Sequence, residues 1–237
     1  MGIRKIVDYI RGNVRNYGIG ATLHDLECKL VNKAVFFQIL KGMTVRMQDV
    51  TDASLFEAPG FDSRFVVEGE LSKLARESAH QISPEFLHTA LARGDRCYAL
   101  FDGPALAAYG WYSELRTPLD EHYLLHFDHA WTYMYKGYTM PAYRGKRLHA
   151  VGMCQALRAL TEEGKNGLIS CVASTNFASL QSIMRMGFRI FGDVYLVRAG
   201  HHSYAYATQG CRPYGFRAEP LASRRDIPGT RSFSKEG

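Results

Sequence analysis

Residues 141–149 combine basic side chains with a turn-forming start, and they lead directly into the clearest helical pattern of the chain. Arg144, Lys146 and Arg147 supply the positive charge. The helix predicted over 146–163 is marked by Gly164 beyond its end and by apolar residues that share one face: Leu148, Val151, Cys154, Leu157 and Leu160. Free N–H groups at a helix start bind phosphate, and the helix dipole adds to the attraction. The segment therefore predicts a phosphate-binding site.

Acidic and histidine side chains gather just before the Tyr-rich segment 129–140. Asp128 and His129 are the preferred candidates for a general base, because an imidazole with a pKa near 6.5 accepts a proton at neutral pH. Tyr135, inside the Tyr-rich segment, is the candidate for a catalytic hydroxyl. The alternatives are that Asp128 and His129 are solvated loop residues and that the tyrosines only pack.

Three histidines, His122, His126 and His129, have spacings that a helix would bring to one face, as in a zinc site. An extended segment turns the third histidine away from the first two. The Tyr and Trp content of 129–135 indicates a strand, so no metal site is predicted. The five cysteines are scattered, without a C-x-x-C pair, and are expected to be reduced core thiols.

The elements that must position these residues alternate between strand and helix in the second half of the chain. Strands are predicted over 44–47, 96–101, 105–112, 129–140, 168–173, 188–197 and 203–208, and helices over 69–81, 84–93, 146–163 and 177–186. Gly137 is expected to mark a bulge in the long strand. A strand, a helix and a strand in succession form a parallel pair. The predicted fold is therefore α/β, with a mixed central sheet flanked by helices.

The two ends of the chain differ from its middle in composition. Residues 1–42 are expected to form a helical extension, with helices over 3–15 and 22–33 and a strand or helix end over 34–40 that runs into Gly42. The helix over 3–15 is amphipathic, and docking onto the protein's own core is favoured over membrane contact. Residues 43–210 form the predicted main domain. Residues 211–237, rich in Pro, Gly, Arg and Ser, are expected to be a mobile basic tail.

The formal net charge of +6 arises at the two ends of the chain. Basic residues exceed acidic ones in the first 18 residues and beyond residue 211, and they balance in between. A nucleic-acid-binding domain is expected to carry its basic excess on the folded body, so nucleic acid is not predicted as a partner. The lack of an apolar run of about 18 residues and of a secretory signal pattern favours a cytoplasmic protein. A monomer and a homodimer both stay open.

Residues 141–149 resemble the donor-binding motif of the GNAT N-acetyltransferase superfamily, which is Arg or Gln, two residues, Gly, one residue, then Gly or Ala, commonly after Pro-x-Tyr. The matching positions are Pro141, Tyr143, Arg144, Gly145, Lys146 and Leu148. Arg147 and His149 stand where the two small residues are usual. A second resemblance comprises Asn176, Ala178 and Gly187-Phe188, with Ile183 where a Tyr is usual. With the order of the elements, the resemblance covers roughly residues 43 to 208.

The resemblance implies a GNAT-type fold and an acyl-CoA N-acyltransferase, in which a primary amine attacks the thioester carbonyl directly. Acetyl-CoA is the implied donor, and a small molecule or an amino sugar is the expected acceptor. The implied donor-binding residues are Thr139, Met140, Tyr143, Arg144, Gly145, Lys146, Arg147, Leu148, His149 and Asn176. The backbone N–H groups of Thr139 and Met140 are expected to polarise the carbonyl. Arg147 and His149 are expected to have ordinary helical dihedrals.

Other functions fit the same residues. A transferase for longer acyl chains would take them from acyl-CoA or from an acidic acyl carrier protein, which Arg147 and the basic N-terminal helix would meet. A GNAT fold that binds without catalysis would account for the joint loss of the two small residues and the Tyr. A zinc hydrolase is a more distant alternative. Weak contact between the N-terminal helix and an anionic membrane surface also stays open.

Overall fold

The computed structural model describes residues 3–221 and consists of six helices and two β-sheets within that range. The helices are α1 (Ile3–Tyr17), α2 (Ile19–Val31), α3 (Glu68–Leu74), α4 (Pro84–Ala92), α5 (Leu148–Glu162) and α6 (Phe177–Met184). The strands are β1 (Phe36–Val45), β2 (Asp62–Phe65), β3 (Arg96–Asp102), β4 (Ala105–Ser113), β5 (Thr117–Pro118), β6 (Tyr123–His126), β7 (Thr132–Thr139), β8 (Leu168–Ala173), β9 (Arg189–Ala199), β10 (His202–Ala207) and β11 (Arg217–Pro220).

The larger sheet has eight strands in the order β10-β9-β1-β8-β7-β4-β3-β2. Its neighbours β7 and β8 are parallel and are joined through α5, whereas its other pairs are antiparallel. Helix α5 packs on one face, and α3 and α4 pack on the other. The predicted mixed α/β sheet flanked by helices is therefore confirmed.

The apolar stripe that predicted α5 is its buried face. Leu148, Val151, Leu157 and Leu160 are each at most 7% exposed and belong to one core cluster. Burial of a leucine side chain stabilises the fold by about 1.5–3 kcal/mol, so this row fixes the helix firmly on the sheet. The loop that precedes the helix is thereby held at the end of β7.

Strand β1 lies between β8 and β9 and begins at Phe36, well before the predicted strand at 44–47. It pairs with β8 from Leu40↔Ala173 to Val45↔Leu168. The strand crosses the expected boundary at residues 42 and 43, so the N-terminal segment contributes to the central sheet as well as forming helices. Because β1 pairs with one edge of β8 along its whole length, the backbone groups left unpaired toward the end of β8 are those on the edge that faces β7.

The segment after residue 210 is ordered as far as residue 221, contrary to the expectation of a mobile tail from residue 211. Cys211 and Phe216 are each 1% exposed. Strand β11 pairs with β6 and joins a three-stranded sheet with β5. Two apolar anchors thus hold a segment whose overall composition is polar, while residues 222–237 of the predicted tail lie outside the described residues.

Helix α1 packs against α2. The sequence predicts that its apolar side chains dock onto the core, but in the structure they are partly exposed. Ile6, Val7 and Val14 are each more than one third exposed. Tyr9 fastens the helix by donating a hydrogen bond of 2.6 Å to Asp25 of α2. None of the described helices is both long and apolar enough to cross a membrane.

Candidate active site

The parallel strands β7 and β8 separate soon after they begin. They pair only at Thr132↔Leu168 and Tyr133↔Ile169. At the next position the Ser170 hydroxyl donates a 2.8 Å hydrogen bond to the Met134 carbonyl, so a side chain replaces the backbone ladder. The register of β7 against β4 also shifts here, with Tyr135 as the extra residue of a bulge. Beyond this point the strands enclose a cavity of roughly 170 Å³, hereafter the cleft.

The sequence predicts the bulge at Gly137, but in the structure it lies two residues earlier, at Tyr135. Gly137 instead pairs with Gly110 within the regular part of the ladder. The bulge bends β7 away from β8 just where the cleft opens, because the extra residue increases the local bend and twist of its strand.

Backbone N–H groups of β7 point into the cleft at alternate positions. The Met140 N–H donates a 2.9 Å hydrogen bond to Ala107 on the β4 side. Neighbouring residues of a strand direct their N–H groups to opposite edges, so those of Gly137 and Thr139 face the cleft. The expectation for Thr139 agrees with this geometry. The expectation that the Met140 N–H faces the cleft is wrong, because this group already donates to the Ala107 carbonyl. The second N–H that faces the cleft belongs to Gly137.

The loop before α5 presents free backbone donors and exposed positive charge. Within the described part of the chain, no backbone hydrogen bond is donated by the N–H groups of Gly145, Lys146 or Arg147. The first N–H groups of α5, starting at Leu148, also have no partner within the helix. The side chains of Arg144, Lys146 and Arg147 are exposed. The loop thus has the free donors and the positive charge on which the prediction of an anion site depends, and the site stays a prediction.

Arg147 has a left-handed backbone, with φ 59° and ψ 15°, at the N-cap of α5. The expectation of ordinary helical dihedrals is therefore wrong for this residue. A side chain in this conformation costs roughly 1–2 kcal/mol, which glycine avoids. A glycine at this position of the motif would adopt the left-handed backbone without strain. Arg147 adopts the same backbone at an energetic cost.

The guanidinium of Arg147 points away from the loop and onto Asp52. Its Nη2 donates to Asp52 Oδ2 at 2.9 Å. Hydrogen bonds from the Ser54 hydroxyl and from Arg147 hold the pKa of Asp52 below its usual value. Lys146 and Arg144 lie beside aromatic rings, at 5.3 Å from Tyr143 and 5.8 Å from Tyr138 respectively. Since Arg147 is paired with Asp52, Lys146 and Arg144 are the two basic residues of this loop that can face an anion at the start of α5.

His149 lies in the first turn of α5 and packs on the backbone of β7. Its ring is so close to Gly137 that any side chain there would overlap Cε1 of the imidazole. Burial lowers the pKa of His149. No hydrogen bond of its ring is found among the described residues, and the ring lines the cleft. The residue therefore narrows the cleft at the position of a backbone donor.

Helix α6 forms the opposite wall of the cleft with Ser179, Ser182 and Ile183. The carboxamide of Asn176 accepts a 3.2 Å hydrogen bond from the Ser179 N–H and so caps this helix. Gly187 follows the helix with φ 100°, and a side chain there would overlap the Asp49 carbonyl. The residues of the second motif thus have local structural roles in addition to any contact with a donor.

Asp128 and His129 lie at the closed end of β7. Both are exposed. The Asp128 carboxylate accepts the Ala130 N–H at 2.8 Å, and His129 Nδ1 contacts the Glu114 carbonyl at 2.8 Å. Strand residues rise about 3.3 Å each, which puts this turn more than about 15 Å from Gly137. The structure therefore does not bring these two candidate bases together with the cleft.

Tyr135 lines the cleft, but its hydroxyl is bonded on the far side of the sheet. It donates to Asp95 Oδ2 at 2.8 Å, and Arg93 binds the same carboxylate oxygen. Burial first, and then Asp95, raise the pKa of Tyr135. The side chains of Arg93 and Asp95 are 5% and 0% exposed, so this is a buried charge network. Sequence reasoning missed this network, because Arg-Gly-Asp after a helix is typical of a surface turn.

The histidines weighed as zinc ligands have separate partners. His126 Nε2 lies 2.8 Å from Glu219, and His122 lies 3.5 Å from Glu121. Among residues 3–221, no three His, Cys, Asp or Glu side chains are grouped so that they would hold a metal ion.

Comparisons with known proteins give similarity in fold only. No protein-family model and no curated protein matches the chain. The chain is similar to the solved structure of a GCN5-related N-acetyltransferase from Kribbella flavida, with a TM-score of 0.47 and 15% identity over 73% of this chain and 63% of that one. It is also similar to an acetyltransferase of the GNAT family from Colwellia psychrerythraea, with a TM-score of 0.47 and 12% identity over 69% and 57%.

A third similar structure is a GCN5-related N-acetyltransferase-like protein from Streptococcus suis, with a TM-score of 0.45 and 13% identity over 83% and 68% of the two chains. The chain spans 54% to 68% of the length of such structures. The resemblance is one of fold.

Proposed function

We propose that the chain is an acyl-CoA-dependent N-acyltransferase, with acetyl-CoA as its default donor and a small primary amine as its acceptor. The observation that carries the proposal is the separation of β7 and β8 beside a helix start with free donors. The cleft offers backbone groups to an extended chain, and the adjacent loop offers N–H groups and cations to phosphate. A thioester on a long arm that ends in a pyrophosphate needs both features side by side.

The loop and the strand bind different parts of this donor. The pyrophosphate would be held by the N–H groups from Gly145 into the first turn of α5, with Arg144 and Lys146 adding charge. The amide-containing arm would run along β7 and pair with its free edge at Gly137 and Thr139, in the manner of an added strand.

The reaction requires a polarised carbonyl and a neutral amine. A cleft-facing N–H, such as that of Gly137, stabilises the negative charge that develops on the carbonyl oxygen. Removing a proton at pH 7 from an amine with a pKa of about 10.4 costs about 4.6 kcal/mol, but only about 1 kcal/mol from an amine with a pKa near 7.7. With Asp128 and His129 distant from the cleft, an amino sugar or an α-amine is the better acceptor.

Donor binding is measured first, by titrating the purified protein with acetyl-CoA in a calorimeter. We expect binding that weakens as salt is raised, because the pyrophosphate is held by charge. The double variant Arg144→Glu and Lys146→Glu reverses the charge of the loop and is expected to lose at least tenfold in affinity. Arg116→Glu, an exposed residue in the turn after β4, is the matched control and is expected to bind normally.

Turnover is measured by release of free CoA thiol in the presence of a panel of amines, with acetyl-CoA and with longer acyl-CoA donors. A cleft of roughly 170 Å³ favours the acetyl group, and a preference for longer chains would identify the alternative transferase. Failure of every acyl-CoA to bind at millimolar concentration would disprove the proposed enzyme.

One observation favours a second candidate, a GNAT fold that binds without catalysis. The His149 ring rests on Gly137, where the thioester carbonyl would lie. Binding of CoA without turnover of any acyl donor would support this candidate.

A further inference from the structure

The structure brings together two residues that depart from the family motif. His149 is in the first turn of α5 and Ile183 is in α6, and 33 residues separate them along the chain. Both line the same cleft between β7 and β8. The position that lacks the usual Tyr hydroxyl therefore faces a cavity that contains an imidazole, where the motif usually has Gly or Ala.

The imidazole is placed to exchange protons inside the cleft. It lies against Gly137, whose N–H faces the expected carbonyl, and no hydrogen bond within residues 3–221 occupies its ring nitrogens. Met134 and Met153 form apolar walls near it, and Ser182 lines the α6 side. An imidazole that lines the cleft and has no hydrogen-bond partner among residues 3–221 is available to a substrate there.

The cleft contains two other titratable groups, and both are neutral at pH 7. The Tyr135 hydroxyl donates a hydrogen bond to Asp95, and burial raises its pKa. Burial raises the pKa of Cys171 to about 11, and its thiol contacts the Tyr133 hydroxyl at 3.3 Å. Neither group is an effective base, so His149 is the side chain of the cleft suited to accept a proton.

We infer that His149 is the proton-transfer residue of the proposed acyl transfer, carrying one proton from the attacking amine to the departing sulfur. The inference rests on the proposed function. The amine nitrogen forms a bond with the thioester carbon, and the imidazole accepts a proton from that nitrogen. The carbon–sulfur bond then breaks, and the imidazolium gives the same proton to the thiolate. The products are an amide and CoA thiol, and the imidazole returns to its neutral form.

The environment of the ring suits this sequence. Because burial lowers the pKa of His149, the resting imidazole is neutral at pH 7 and can accept the proton first. The imidazolium formed from it is then a stronger acid than an ordinary one, which favours delivery to sulfur. One residue would thus replace both a separate base and the missing hydroxyl at position 183.

The test is the variant His149→Ala, compared with His88→Ala on the exposed side of α4 as a histidine control. We expect kcat of His149→Ala to fall by about 10²–10⁴, as for loss of a general acid–base group, while the Kd for acyl-CoA stays equal or becomes lower because the cleft widens. The acid limb of the kcat profile against pH should lose the contribution of His149 and keep only that of the amine itself, and added imidazole should restore part of kcat. A second variant, His149→Ala with Ile183→Tyr, should also recover part of kcat.

Each contrary result has a separate meaning. If His149→Ala binds acyl-CoA more tightly and keeps or raises kcat, the ring only obstructs the cleft and the inference is wrong. An unchanged pH profile together with no rescue by imidazole would likewise reduce His149 to a packing role. If the wild-type protein binds no acyl-CoA, the proposed function fails, and this role fails with it. Thermal unfolding of each variant verifies that it is folded.

Discussion

Replacing Arg147 tests whether the usual glycine of this loop reflects backbone strain. Arg147→Gly and Arg147→Ala both remove the exposed ion pair with Asp52, so their difference isolates the backbone. At φ 59° alanine is strained and glycine is not, by about 1 kcal/mol. We therefore expect Arg147→Gly to be more stable than Arg147→Ala by about 1 kcal/mol. For a protein of this size that corresponds to about 2–4 °C in Tm.

The assay is urea unfolding followed by far-UV circular dichroism, with the free energy of unfolding extrapolated to water. Ala150→Gly, three residues after the N-cap of α5, is the matched control, because glycine in a regular helix is less stable than alanine by up to about 1 kcal/mol. The two sites should give opposite signs. Equal stability of the two Arg147 variants, or an advantage for alanine, would refute a left-handed backbone at this position.

Three further predictions concern other parts of the molecule. Gly187→Ala should destabilise the protein by at least about 2 kcal/mol in urea unfolding, since the new Cβ overlaps the Asp49 carbonyl, whereas Gly69→Ala in α3 has open space and should be neutral or stabilising. Asp95→Asn should cost about 3–5 kcal/mol by leaving the Arg93 guanidinium buried without a charged partner, and a cost below about 1 kcal/mol would contradict the buried network. The exposed apolar residues and the basic residues of α1 should bind vesicles that contain anionic lipid, measured by cosedimentation. The double variant Ile6→Glu with Val7→Glu should abolish this binding. Equal binding of the protein to anionic and to neutral vesicles would contradict the prediction.

The second half of the fold was predictable because its periodic patterns are strong and local. The stripe of α5 is visible in the sequence, and the predicted helix over 146–163 differs from Leu148–Glu162 only at its ends. The prediction for the first half is wrong at Gly42, which lies inside β1 and not at the end of an element. In the structure a Cβ at Gly42 would lie 2.7 Å from the Phe191 ring, so this glycine permits a close contact inside β1. That contact joins distant parts of the chain and leaves no local signal.

The candidate site divides in the same way. The loop with exposed cations at the start of α5 was predictable from basic residues before a helical pattern. The distance of Asp128 and His129 from the cleft was not predictable, because both residues adjoin β7 in sequence but lie at the end of that strand remote from the cleft. Asp95 was also missed, since its burial depends on Tyr135 from another strand. Sequence spacing identifies groups within one element, whereas a site built across elements depends on pairing.

Arg147 and His149 stand at the two small positions of the motif, but they affect the loop by different physical means. Arg147 changes the backbone energy, while its side chain is held outside the cleft by Asp52. His149 has a helical position and changes the volume and chemistry of the cleft. Arg147→Gly should therefore alter stability with little effect on the pH dependence of turnover, and His149→Ala should do the reverse. Measuring both quantities on both variants separates a loop that is merely strained from a cleft that has acquired a new proton-transfer group.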